Sequence, residues 1–155
     1  MIRPNIQRGL CFEQLDTRRL LAGDVTVVLT EFGYEITGDN QANSICVEKI
    51  ADRQFLVRGE NNTTLNGESV DLVINGSLGH ISLGGGDDSF SYDYRFIRSF
   101  EQPISLDTGN GDDQVYLRVG TAANVDTGNG NDTLNLEIED AQGYGSDFRL
   151  DTGRG

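Results

Sequence analysis

The feature that most constrains this chain is a turn that recurs. Asp107-Thr108-Gly109-Asn110-Gly111-Asp112-Asp113 returns as Asp126-Thr127-Gly128-Asn129-Gly130-Asn131-Asp132. An earlier copy, Gly84-Gly85-Gly86-Asp87-Asp88, lacks the leading Asp-Thr, and a fourth begins at Asp151-Thr152-Gly153-Arg154-Gly155. The first glycines stand at 84, 109, 128 and 153, so the copies are spaced by 25, 19 and 25 residues. Three residues before each first glycine come Ile81, Leu106, Val125 and Leu150. Two and four residues after each final Asp come Phe90 and Tyr92, Val115 and Leu117, then Leu134 and Leu136. Apolar residues at period 2 on both sides of a glycine turn specify strand, turn, strand, with one face buried. Units of about 20 residues can bury such a face only by stacking on one another. The expected fold is therefore all-β: a parallel β-solenoid with its glycine-aspartate turns stacked on one edge. Arg95–Pro103, Gly120–Asn124 and Glu139–Asp147 read as the return legs of the coils.

The remainder of the chain divides around this array. Residues 24–74 are β-patterned without the glycine-aspartate turn. Val25–Thr30, Tyr34–Thr37, Ser44–Val47 and Gln54–Val57 read as strands, separated by Phe32-Gly33, Gly38-Asp39-Asn40, Ala51-Asp52-Arg53 and Asn61-Asn62. This segment is expected to supply the first coils or an atypical cap, since a terminal repeat has to close the stack. Residues 75–155 are the repeat coils. The fourth copy stops at Gly155 before its x-Asp, which reads as a truncated repeat. Residues 1–23 lack β alternation and read as a flexible leader.

Charge narrows the partners. The chain of 155 residues carries 25 Asp+Glu against 12 Lys+Arg, a net charge of −13. Residues 1–20 are nonetheless net positive, with four Arg against Glu13 and Asp16, so the acidity is concentrated in the β-patterned part. An acidic surface repels phosphate, which argues against nucleic acid and against an anionic membrane. No apolar run approaches the ~20 residues that span a bilayer as a helix, so no membrane insertion is expected. Cys11 and Cys46 are too few for a disulfide framework and read as unpaired small hydrophobic side chains. The natural partner of such a chain is a divalent cation.

The turns carry the matching chemistry. Thr108–Tyr116, Thr127–Asn135 and Leu83–Ser91 each fit the nonapeptide G-G-x-G-x-D-x-U-x, U being a large apolar residue, and depart from it only at the first position. Calcium takes six to eight hard oxygens, from carboxylates and backbone carbonyls. Glycines let a turn aim its carbonyls at one point, and each Asp adds a charged oxygen donor. Residues 78–155 resemble the repeats-in-toxin (hemolysin-type) family, whose fold is a calcium-binding β-roll. The resemblance implies that Asp88, Asp113 and Asp132 are ligand carboxylates, that Asp87 and Asp112 add charge beside them, and that Gly84, Gly86, Gly109, Gly111, Gly128 and Gly130 shape the turns around Ca2+. The family array repeats every nine residues and loads both edges of its roll. Here one motif occurs per 19 to 25 residues, which implies one loaded edge.

A second resemblance covers the leader. Phe12-Glu13-Gln14-Leu15-Asp16-Thr17-Arg18-Arg19-Leu20-Leu21-Ala22-Gly23 is similar to the F-E-x-L-E-x-R-x-L-L-A-G leader of large secreted bacterial surface proteins, with Asp16 in place of the usual Glu. Gly38–Val47 is similar to the first β segment of those proteins. This implies an exported protein, secreted or held at a bacterial cell surface, with surface or matrix components as unidentified partners.

Catalytic readings find little in the residues. Three Asp-Thr-Gly triplets, at Asp107, Asp126 and Asp151, invite an aspartic-protease reading, but that chemistry needs two carboxylates on facing loops, and three copies in one register stack instead. Counted from Asp126, an EF-hand would need ligands at Gly128 and Gly130. His80 has no second histidine for zinc and reads as a surface strand residue. The expectation is a non-catalytic calcium-binding module. The alternatives are a β-helical carbohydrate-active enzyme using paired carboxylates, and a metal-independent structural or adhesive repeat.

Overall fold

The computed structural model describes residues 22–94, 103–120, 122–138 and 147–154. They form β1 (Asp24–Thr30), β2 (Gly33–Thr37), β3 (Ser44–Ala51), β4 (Gln54–Gly59), β5 (Thr64–Leu65), β6 (Leu72–Asn75) and β7 (Leu78–Ser82). The repeat part continues with β8 (Ser89–Tyr94), β9 (Ile104–Asp107), β10 (Gln114–Val119), β11 (Ala123–Asp126), β12 (Thr133–Ile138) and β13 (Phe148–Asp151). No helix occurs among the described residues, so none there is long and apolar enough to cross a membrane.

The strands make two sheets over one core. One has seven strands in the order β13-β11-β9-β7-β2-β1-β5, the other six in the order β12-β10-β8-β3-β4-β6. Ile36, Ile81, Leu106 and Val125 line up across the first sheet, directly opposite one another in register. Ile45, Phe90 and Val115 do so across the second, as do Val47, Tyr92 and Leu117. All ten are buried and belong to a single apolar cluster. The period-2 patterning thus works as read, with alternate side chains on each strand meeting between the sheets.

The expected parallel β-solenoid or β-roll behind a terminal cap is corrected by this topology. The chain is all-β, but both sheets are mixed. β1 pairs antiparallel with β2, β3 with β4, and β4 with β6. The physical reason lies in the connections. Glu31-Phe32 and Asp52-Arg53 are two-residue turns, the second with Arg53 at φ 52. A two-residue loop joins only antiparallel neighbours, because a parallel pair needs a crossover of a dozen residues or more. Residues 24–75 therefore enter both sheets through hairpins. From β7 onward each strand pairs in parallel with the next but one, so the chain alternates between the sheets.

Arg95–Gln102, Thr121, Glu139–Ser146 and Gly155 lie outside the described residues, as do residues 1–21, which hold Cys11 and all of the leader but Ala22 and Gly23. Gly23 itself is buried, donating its N–H to the Ala42 carbonyl and accepting from the Thr64 N–H. Cys46 is half-buried on β3 and forms no disulfide.

Candidate metal centre in the stacked turns

Each glycine-aspartate copy carries the chain from the seven-stranded to the six-stranded sheet. Leu83–Asp88 joins β7 to β8, Thr108–Asp113 joins β9 to β10, and Thr127–Asp132 joins β11 to β12. Thr152–Arg154 continues from β13 and sets Arg154 beside Asn129. The turns lie one upon another. Gly85 bridges to Asn110, Asn110 to Asn129, and Asn129 to Arg154. The N–H groups of Asn110, Asn129 and Arg154 donate to the carbonyls of Gly84, Gly109 and Gly128 at 3.1, 2.9 and 3.2 Å.

Two glycine positions in each turn are dictated twice over. Gly109 sits at φ +97, and a Cβ there would lie 1.9 Å from the Gly84 carbonyl oxygen. Gly111 sits at φ +143, with its Cβ position 2.0 Å from the Gly86 oxygen. Gly128 and Gly130 repeat both features against Gly109 and Gly111, and Gly84 and Gly86 repeat them against Asp39 and Gln41. Only a residue without Cβ combines that backbone with that approach.

A further turn joins the stack that the repeat motif does not announce. Gly38–Asn43 carries β2 to β3, with Asp39 beneath Gly84, Gln41 beneath Gly86, and Ser44 opposite Ser89. Sequence reasoning missed it for want of the glycines. The signal that could have found it is apolar spacing: Ile45 and Val47 follow Asn43 as Phe90 and Tyr92 follow Asp88.

The final residues of the turns form an inner column: Asn43, Asp88, Asp113, Asp132. The Asn43 N–H donates to Asp88 Oδ1 at 2.7 Å, the Asp88 N–H to Asp113 Oδ1 at 2.8 Å, and the Asp113 N–H to Asp132 Oδ1 at 3.0 Å. Asp88 is 2% exposed and Asp113 1%. The second oxygens of Asp88, Asp113 and Asp132 are all buried with no hydrogen-bond partner. Three orphaned carboxylate oxygens in one column is a large debt, since an unmet buried acceptor costs about 1–3 kcal/mol and more when charged.

Electrostatics record the same tension. Burial pushes the Asp88 carboxyl up to about 7, with the Asn43 N–H and side-chain amide opposing and the charges of Asp113 and Asp39 adding to the rise. Burial likewise raises Asp113, against the Thr108 side chain and the Asp88 N–H, with Asp132 and Asp87 reinforcing the shift.

Asp87 and Asp112 form a separate, exposed column. Asp87 Oδ1 accepts from the Asp112 N–H at 3.0 Å, and Asp112 Oδ1 from the Asn131 N–H at 2.8 Å. The structure therefore splits the sequence-derived carboxylates into a buried set with orphaned oxygens and an outer set already bonded to backbone. His80 is exposed on β7 beside Ser105, Nδ1 to Oγ 3.0 Å. Among the described residues, no group of three or more His, Cys, Asp or Glu side chains is placed to hold a metal ion. A cation in the inner column would take carboxylates two at most at a time and the rest of its oxygens from the turn backbone.

No family model matches the chain, and the searches of the curated proteins and of the solved structures return no match either.

Proposed function

We propose that the inner column binds Ca2+ between successive turns and that the protein is a non-catalytic calcium-dependent structural module. The observation that carries this is the set of orphaned Oδ2 atoms of Asp88, Asp113 and Asp132. The residues fit the ion: hard oxygen donors only, at turns whose glycines bring backbone carbonyls close. Asp88, Asp113 and Asp132 would hold it, with the backbone of Gly84, Gly86, Gly109, Gly111, Gly128 and Gly130 around them and Asp87 and Asp112 lending outer charge. Bound calcium supplies positive charge where buried carboxylates stack, and it stabilises the folded state by mass action. Export to the cell surface or the extracellular space belongs to the same proposal and rests on the Phe12–Gly23 leader sequence.

Burial takes Asp88 and Asp113 out of the hydrolase alternative, which would have to use the exposed Asp87 and Asp112, whose Oδ1 atoms already accept backbone N–H groups. The metal-independent reading has one observation of its own: each Oδ1 already accepts a backbone N–H, so the column is partly satisfied as it stands. Melting the protein in chelator and in millimolar calcium separates the two. Calcium modules of the extracellular kind bind at ~10⁻⁴–10⁻³ M, so millimolar calcium should raise the Tm, and Asp113→Ala should abolish most of that rise. Superimposable melts in chelator and calcium would leave the metal-independent repeat.

A further inference from the structure

We infer that the Asn43 side-chain NH2 closes the first turn of the stack in place of a bound cation, meeting the turn carbonyls from within the chain while its own Oδ1 stays buried and unpaired, whereas the three turns ending in Asp have no such donor. The inference builds on the calcium reading of the Asp turns and adds the residue that sets where the metal column begins.

Asn43 is 1% exposed and occupies the register position of Asp88, Asp113 and Asp132. Its Nδ2 donates to the Gln41 carbonyl at 2.9 Å and to the Leu83 carbonyl of the next layer at 3.1 Å, with the Asp39 carbonyl at 3.5 Å. Three carbonyl oxygens thus converge on one electropositive group. An amide NH2 has two donors and no acceptor, and the reverse orientation would aim Oδ1 at those same oxygens. The position selects a donor.

Register carries this arrangement forward. Gly86 lies over Gln41, and Thr108 takes the place of Leu83 one layer on. The Asp88 Oδ1 is committed backwards, to the Asn43 N–H. Its Oδ2 is the atom left for the place that Nδ2 holds at Asn43, and it is one of the orphans. Asp is the same shape as Asn with an acceptor where the donor was. An oxygen set among carbonyl oxygens lacks the donor that a cation, or its own proton, would supply. The Asn turn therefore carries its positive group covalently, and each Asp turn borrows one.

The exchange of one atom tests this. In chelator, Asp88→Asn should raise the Tm by several degrees, whereas Asp88→Ala should lower it, and in calorimetric titration Asp88→Asn should bind fewer calcium ions than the parent. Asn43→Asp should do the opposite, melting earlier in chelator and recovering in millimolar calcium with a raised stoichiometry. If Asp88→Asn destabilises the metal-free protein as much as Asp88→Ala, the amide is not a closing group and the inference falls, even should Asn43→Asp fail to fold. A parent protein indifferent to calcium whose Asp88→Asn variant still melts higher in chelator would remove the calcium reading and leave amide closure supported.

Discussion

The two parts of the molecule hold their strands in different ways. In residues 24–75 the hairpins set β1 beside β2 and β3 beside β4 within a few residues of chain. From β7 onward each strand's next partner lies 19 or 25 residues further along the chain, and the turn backbones themselves are hydrogen-bonded into the stack. A hairpin tolerates local change because its neighbours are secured by the loop. A stacked layer is only as complete as the layers on either side. Val115 and Leu117 on β10 are buried, while Leu134 and Leu136 in the same register on β12 are only partly so, and Ile138 is 51% exposed. The same sequence pattern gives a dry core or a half-wet face according to what lies over it.

The sharpest test of that difference is a methyl group. Gly109→Ala in the stack meets the Gly84 carbonyl at 1.9 Å, a backbone atom that cannot move without shifting a whole layer. Loss of about 3–5 kcal/mol is expected, the range reserved for named core or backbone conflicts. Gly67→Ala, in the hairpin part, has a similar positive φ of +77 but nothing within 4 Å of its Cβ position. It should cost about 1–2 kcal/mol, the left-handed penalty alone. Equal losses in urea unfolding would show that backbone sign, not layer contact, governs both sites.

Side-chain truncation breaks the comparison along the stack itself. Leu117→Ala opens a cavity between two covered layers and should cost about 3 kcal/mol, within the usual 2–5 for buried leucine. Leu136→Ala, its register partner on β12, loses less buried surface and should cost about half as much. Were Leu136→Ala the costlier of the two, β12 would be covered by something beyond the described residues.

These contrasts also show what sequence could and could not convey. The apolar positions around the turns were legible because each strand reports its own alternation, and Ile81, Phe90, Tyr92, Leu106, Val115, Leu117 and Val125 are all buried. Leu150 matched the same pattern yet is 44% exposed, since burial there depends on a neighbour and not on the residue. The hairpins were seen as turns but not as antiparallel junctions, although two-residue loops leave no other choice. In the site, Asp88, Asp113 and Asp132 were found from the motif. Asn43 was not, because it completes the column by three-dimensional register and shares only a shape with them.

The charged column and the uncharged first turn should also part company with pH. A free Asp titrates near 3.9, and Asp88 in the folded chain is pushed up to about 7. Between those values the unfolded chain has lost a proton that the folded chain keeps. The metal-free protein is thus most stable below about pH 4 on this account and loses stability as pH rises towards 7, by something on the order of 4 kcal/mol. Asp113 shifts in the same direction and adds to the fall. Urea unfolding in chelator at pH 4.5 and 7.5 should show a smaller fall in Asp88→Asn than in the parent, and calcium should flatten the parent by favouring the carboxylate. Parallel falls in the two proteins would assign the pH dependence to overall charge repulsion instead.

The smallest effect expected separates a covered turn from the next one along. Thr108 and Thr127 open their turns at the same register position, and both are fully buried. Thr108 Oγ1 donates to the Thr127 carbonyl at 3.1 Å. Thr127 Oγ1 is buried without a partner. Valine matches threonine in shape, so Thr→Val reads the hydroxyl alone. At Thr108 the change removes a made hydrogen bond, leaves a buried carbonyl one donor short and takes the hydroxyl from beside Asp113, which together should cost at least about 1 kcal/mol. At Thr127 it removes an unmet polar group, so the change should be neutral or stabilising by up to about 1 kcal/mol. Chemical denaturation of the two single variants resolves a difference of that size. A loss at Thr127 equal to that at Thr108 would mean that the third turn is as fully hydrogen-bonded as the second, and the contrast between a covered layer and the layer after it would not extend to the polar groups.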